Sequence, residues 1–143
     1  MRIVGLDLGT KTLGVAISDA TETIASGLTT LRFTENKPVE CLTDLKKIID
    51  EYDAKLIVIG LPKNMNNTLG HAVQRTRDFS SILNDKFNIP IVEQDERLSS
   101  VSANNVLLQA DVSRKKRKSK VDELAATIIL QNYLDIRKGM KNE

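Results

Sequence analysis

The sequence has no tryptophan, one cysteine, one histidine and three prolines, and aromatic residues make up 3% of it. Each scarcity removes a class of protein. A lone Cys41 can form no internal disulfide, which removes the disulfide-stapled secreted scaffolds. Its expected place is as a small buried apolar group in a helix. One Cys and one His cannot build a zinc site, and His71 is expected to take no part in catalysis. So few aromatics leave no platform for stacking bases. No apolar run approaches the roughly 20 residues of a membrane-spanning helix. The N-terminus reaches Asp7 too early for the apolar region of a secretory signal. The expectation is a cytoplasmic protein with no membrane partner.

What is present is ordinary in bulk. With 143 residues, 41% hydrophobic and 28% charged, the chain reads as one globular domain over 1–143, without repeats or low-complexity linkers. A net charge of +2 says little about partners. Its distribution says more. Arg114, Lys115, Lys116, Arg117, Lys118 and Lys120 crowd into one short stretch, a footprint for a polyanion. A solvated basic loop is the plain alternative. Without stacking residues, nucleic acid would be held by its phosphate backbone or its shape.

Apolar patterning predicts three β-strands early in the chain: Arg2 to Leu8, Thr12 to Ser18, and a weaker one from Ile24 to Leu31 interrupted by Gly27. Their short connections predict antiparallel hairpins. The period then changes. Leu42, Leu45, Ile48, Ile49 and Tyr52 fall at helical spacing within Pro38 to Tyr52, with Asn36 as the expected N-cap. Leu56 to Ile59 reads as a strand covered on both faces. A second helix is expected from about Gly70 to Phe87, with Val73, Thr76, Phe79 and Leu83 inward. Ile89 to Gln94 follows as an edge strand that opens on Pro90. A third helix is expected over about Ser100 to Gln109, then the basic loop, then a last helix from near Lys120 with Ser119 as N-cap. The order predicts an α/β fold: a five-stranded mixed sheet, three antiparallel strands and then β-α units, with helices on both faces.

Three carboxylates demand explanation. Asp7 stands inside an apolar strand, where an unpartnered charge costs several kcal/mol, so a cation or donors should lie beside it. Alternation puts it on the face of Gly5 and Gly9, which lack side chains, so that a ligand could approach closely. Capping of the Gly9-Thr10 turn is the plain alternative. Glu96, in Asp95-Glu96-Arg97, follows a strand end, where sites gather in such sheets. It could also be half of a surface pair with Arg97, and Asp95 and Glu93 compete with it for the role. Asp122 in Ser119-Lys120-Val121-Asp122 matches a helix capping box. It also shares a helix face with Ala125 and Ala126, small enough to let that turn press on the sheet. Carboxylates from a strand, a strand end and a helix suit Mg²⁺ or Mn²⁺, which prefer oxygen ligands.

Asp7-Leu8-Gly9-Thr10-Lys11 with Gly14-Val15-Ala16 resembles the opening of the YqgF family, which groups with RuvC-type Holliday-junction resolvases in the RNase H-like superfamily. Gly60-Leu61-Pro62-Lys63-Asn64-Met65-Asn66, Asp95-Glu96-Arg97-Leu98-Ser99 and Lys120-Val121-Asp122 with Ala125-Ala126 continue the resemblance across nearly the whole chain. It implies an RNase H-like nuclease domain in which Asp7, Glu96 and Asp122 hold Mg²⁺ or Mn²⁺. It further implies maturation of the pre-16S ribosomal RNA 5′ end in ribosome biogenesis, with branched DNA as the alternative substrate. Partners would be nucleic acid and ribosomal particles. RuvC-type enzymes carry an acid at the end of the fourth strand, where this chain has Ile59-Gly60-Leu61; Glu96 on the next strand stands in for it. Contacts to nucleic acid are expected from Thr10, Lys11, Lys63, Asn64, Asn66, Arg97 and the basic cluster, although Asn64 and Asn66 also read as turn formers. Two other readings stay open: a non-catalytic RNA- or ribosome-binding module, and a sugar-kinase or actin-like ATPase, whose phosphate loop also reads Asp-x-Gly-Thr. The latter needs two domains and a second phosphate motif. No exposed apolar helix face demands a partner, so a monomer or weak homodimer is expected.

Overall fold

The computed structural model describes residues 1–61, 71–95 and 114–141. Five strands form one sheet: β1 Arg2–Leu8, β2 Thr12–Ser18, β3 Ala25–Arg32, β4 Ala54–Leu61 and β5 Ile91–Asp95. Their spatial order is β3-β2-β1-β4-β5. β1, β2 and β3 pair antiparallel through hairpins, whereas β4 and β5 run parallel to β1. The mixed sheet is as the patterning predicts, and Pro90 does precede an edge strand.

The period-2 pattern sorts side chains to two faces, and both are covered. On one, Val4, Leu6, Leu8, Val15, Ile17, Ile57 and Ile59 pack with Leu45 and Ile49 of α1 (Leu42–Tyr52) and with Phe79 and Leu83 of α2 (His71–Phe87). On the other, Ile3, Ala16, Leu56 and Val58 pack with Ala126, Ile129, Leu130 and Leu134 of α3 (Arg114–Lys141). Double coverage explains why Leu56 to Leu61 of β4 is buried without a break. The predicted inward face of α2 holds: Val73, Thr76, Phe79 and Leu83 are all buried.

Some boundaries differ from the sequence expectations. Asn36 caps no helix. Its φ of 62° is left-handed, and a single 3₁₀ turn over Pro38–Cys41 intervenes before α1. Cys41 is buried as expected, at the end of that turn, and burial pushes its thiol up to about 11. The interruption in β3 is a bulge: Val15 pairs with Thr29 but Ala16 with Gly27, leaving Leu28 as the extra residue. The largest correction concerns the basic cluster. It is not a loop before a helix capped by Ser119, because α3 already begins at Arg114 and contains the whole cluster. Lys and Arg are good helix formers, and neither Gly nor Pro interrupts the run. The expected helix over 100–109 lies outside the described residues.

The β2–β3 connection is organised by Asp19. Its carboxylate accepts from the Thr21 hydroxyl and from the backbone N–H groups of Thr23 and Ile24. These bonds, the Thr21 hydroxyl foremost, lower its pKa from 3.8 to about 2. They therefore contribute fully above pH 3.8 and are lost as pH falls through about 2. Thermal midpoints of wild type and Asp19→Asn, compared from about pH 6 to pH 2, should differ most at the upper end and converge at the lower. A constant gap would contradict this.

Candidate active site

The carboxyl ends of β1, β4 and β5 lie side by side, because the three run parallel. Asp7 sits there, half-buried, one residue from the end of β1 and directly across the β1–β2 ladder from Gly14. The three-residue turn that follows is closed by the Gly9 N–H donating to the Thr12 carbonyl at 2.8 Å. It is braced from outside. The Asn36 N–H donates to the Thr10 carbonyl and the Phe33 N–H to the Lys11 carbonyl, both at 2.9 Å. Thr10 and Lys11 are thus exposed on a rigid turn beside Asp7.

Gly5, two positions earlier on the same face, does not open a space for a ligand as the sequence suggested. A Cβ there would lie 2.7 Å from the Leu130 Cβ and 3.1 Å from the Ala126 carbonyl oxygen. The missing side chain lets α3 sit directly on β1. Ala125 and Ala126, both fully buried, allow the same close approach from the helix side.

The direction of α3 follows from its other anchors. Gln131 accepts from the Ala25 N–H at 2.9 Å and donates to the Thr23 carbonyl at 3.0 Å. Arg137 lies 2.7 Å from Glu22 as an ion pair off hydrogen-bond alignment, and Glu22 also faces the N-terminal amine at 3.7 Å. The late turns of α3 therefore lie beside the start of β1, and the helix runs antiparallel to that strand. The Gly5 contact spans Ala126 to Leu130, so the backbone at residue 122 is one to two turns away, about 6 to 12 Å along the axis. Asp7 is two residues from Gly5, about 7 Å in the same direction. The helix turns before Ala126, residue 122 among them, thus run along β1 in the direction of Asp7. Asp122 is the ninth residue of α3, not part of a capping box, which removes capping as the explanation for an acid there.

Of the competing acids, Glu93 is excluded. It pairs with Ile59 across the β4–β5 ladder and reaches Arg77 of α2 at 3.8 Å, on the face opposite α3. Asp95 ends β5 opposite Leu61. Glu96, Arg97, Lys63, Asn64 and Asn66 lie outside the described residues, as do the side chains of Asp122 and the basic cluster. Among the described residues no three potential ligands converge on a metal. The donor set nonetheless fits one: Asp7 is an oxygen donor on a fixed strand, with side-chain-free Gly14 across from it. Residues that sequence reasoning passed over also gather here. Asn36, Gln74, Arg75 and Asp78 line a recess with Thr10, and nothing in their local spacing announces it.

Residues 1–136 match the family described as RuvX: Holliday junction resolvase. The chain belongs to the RuvX family. Its similarity to the YqgF and RuvC-type proteins is thereby established. A relative from Thermoanaerobacter pseudethanolicus, named "Putative pre-16S rRNA nuclease", is 53% identical over 140 residues, 97% of this chain and 99% of its own length. One of the same name from Clostridium beijerinckii is 52% identical over 136 residues, 95% and 97% of the two chains. Among solved structures, Thermus thermophilus RuvC bound to a Holliday junction substrate is 14% identical, with a TM-score of 0.59 over 97% of this chain and 96% of that one. The fowlpox virus resolvase bound to Holliday junction DNA is 13% identical, with a TM-score of 0.56 over 96% and 99%. At such identities the likeness establishes the fold, which is RNase H-like as the resemblance to the YqgF family implied.

Proposed function

We propose that this chain is a divalent-metal-dependent nuclease that hydrolyses phosphodiester bonds of pre-16S ribosomal RNA, with Asp7, Glu96 and Asp122 as its metal-holding acids. The observation that supports it best is the seating of α3 on Gly5, which directs the helix turns before Ala126, residue 122 among them, along β1 toward Asp7. Glu96 completes the set: it has the sequence parity of Val92, which packs on the α3 side, and follows the last residue of β5. The names of the close relatives support RNA as substrate.

When bound, Mg²⁺ or Mn²⁺ would supply positive charge against the phosphate oxygens and lower the pKa of an attacking water. The chain's own contribution is placement. β1 fixes Asp7 opposite Gly14 of β2, and the braced turn places the exposed Lys11 four residues further along the chain. The first turns of α3 add Arg114, Lys115, Lys116, Arg117, Lys118 and Lys120 along the helix that continues to Asp122. That arrangement draws a polyanion toward the acids. Neutralising Arg114 to Lys118 should weaken RNA binding and flatten the dependence of log K on log salt by about 0.7 per lost phosphate contact. An unchanged slope in a salt titration would rule the cluster out of the interface.

The deciding experiment offers the protein a labelled RNA spanning the 16S 5′ boundary beside a four-way DNA junction, with and without Mg²⁺ or Mn²⁺. Metal-dependent cutting of the RNA alone is the expected result. Cutting of the junction alone would make the chain a resolvase. Binding of RNA with no cutting would make it a non-catalytic ribosome-biogenesis module. No helix among the described residues is long and apolar enough to cross a membrane.

A further inference from the structure

On the side of the β1–β2 turn away from α3 lies a recess of about 440 Å³, walled among the described residues by Thr10, Asn36, Gln74, Arg75 and Asp78. We propose that this recess is a subsite holding one unpaired nucleotide of the substrate strand next to the position of cleavage. It rests on the nuclease reading above for the identity of that strand.

Location is the first support. Thr10 is three residues from Asp7, so the recess opens at most about 10 Å along the chain from the proposed site. A strand passing Asp7 and crossing the turn would meet it. The volume falls within the usual range of small-molecule sites, about 300 to 1,000 Å³.

The chemistry of the lining is the second. A surface that only tracks phosphates needs donors and positive charge. This one holds a guanidinium fork, two amides, a hydroxyl and a carboxylate. Gln74 Nε2 donates to Asp78 Oδ1 at 2.8 Å, which leaves Asp78 Oδ2 and the Gln74 carbonyl as acceptors. Among the described residues Arg75 has no ion pair, and the side chains of Thr10 and Asn36 have no hydrogen bond. Acceptors beside donors match the mixed edge of a nucleobase and its ribose hydroxyls. A paired base would keep that edge for its partner, so the occupant is unpaired. The guanidinium of Arg75, a half-buried residue, also offers a flat surface for a base, a role the chain's few aromatics leave vacant.

Rigidity is the third. Asn36 is held in its left-handed conformation by its N–H bond to the Thr10 carbonyl. Gln74, Arg75 and Asp78 stand on α2, which the buried Val73, Thr76 and Phe79 fix to the sheet. The wall is preformed, so little ordering cost opposes binding.

The test measures anisotropy of a labelled 12-nucleotide RNA, single-stranded and as a duplex, without divalent metal so that nothing is cut. The wild type should prefer the single strand. Arg75→Ala, Asp78→Ala and Asn36→Gly should each reduce that preference at least about fivefold, the lower end for loss of one good base contact. All three positions are exposed or half-exposed, and glycine suits the φ of 62° at Asn36, so the fold is kept. A purely electrostatic role for Arg75 would weaken both probes equally. An unchanged ratio in all three variants overturns the subsite, as does a wild type with no preference. Because binding needs no catalysis, a lost preference in a protein that never cuts RNA would sink the nuclease reading and keep the subsite. Metal-dependent cutting with the ratio unchanged would do the reverse.

Discussion

Asp7→Asn should reduce metal-dependent cleavage on the order of 10³-fold or more, while RNA affinity stays equal or rises. Losing one oxygen ligand removes several kcal/mol of transition-state charge stabilisation, and each 1.36 kcal/mol is tenfold in rate. The amide keeps the size of the carboxylate, so the position opposite Gly14 in the paired strand stays filled. It also removes a negative charge from the path of the phosphates, hence the unchanged or tighter binding. Single-turnover rates with Mn²⁺, binding by anisotropy and thermal midpoints should be measured on the same preparation. A variant that melts like the wild type, binds RNA and cuts it at the wild-type rate would remove Asp7 from the chemistry.

The second large effect is expected at a residue with no chemistry at all. Gly5→Val should lower stability by about 1 to 3 kcal/mol and the thermal midpoint by several degrees. The added Cβ meets the Leu130 Cβ at 2.7 Å. A Cβ atom is fixed to its backbone and cannot swing aside, so strand and helix must part. Cleavage should fall further than the loss of folded protein explains, because the displaced helix is the one that carries Asp122. Gly9→Ala is the control. Its Cβ would meet only Thr12 atoms at 3.3 and 3.4 Å, and Gly9 has no positive φ, so a much smaller shift is expected. Equal melting of the Gly5 variant and the wild type, by calorimetry, would refute the close seating of α3.

Much of this was legible locally. Alternation along β1 and β2, the 3.6-residue period of α1 and α2, and the unbroken apolar run of β4 report the neighbours two, three or four positions away, which sequence displays. Asp7 stood out because a carboxylate in an apolar strand conflicts with its surroundings. The misreadings were local as well. Asn36 and Ser119 are good N-cap residues, but a cap residue does not make a helix start. Asn36 also tolerates the left-handed turn that it takes here. Ser119 sits among strong helix formers that carry α3 straight through it.

The sequence by itself determined the mixed sheet, the helical faces, the family and the acids worth testing. Only the tertiary structure decided that Gly5 receives a helix instead of a ligand, that Glu93 faces away from Asp7, and that Thr10, Asn36 and Arg75 share one recess. Those facts join residues 26 to more than 100 positions apart, such as Gly5 with Leu130 and Thr10 with Asn36. Close packing of two covered sheet faces fixes such pairs, and no local period encodes them.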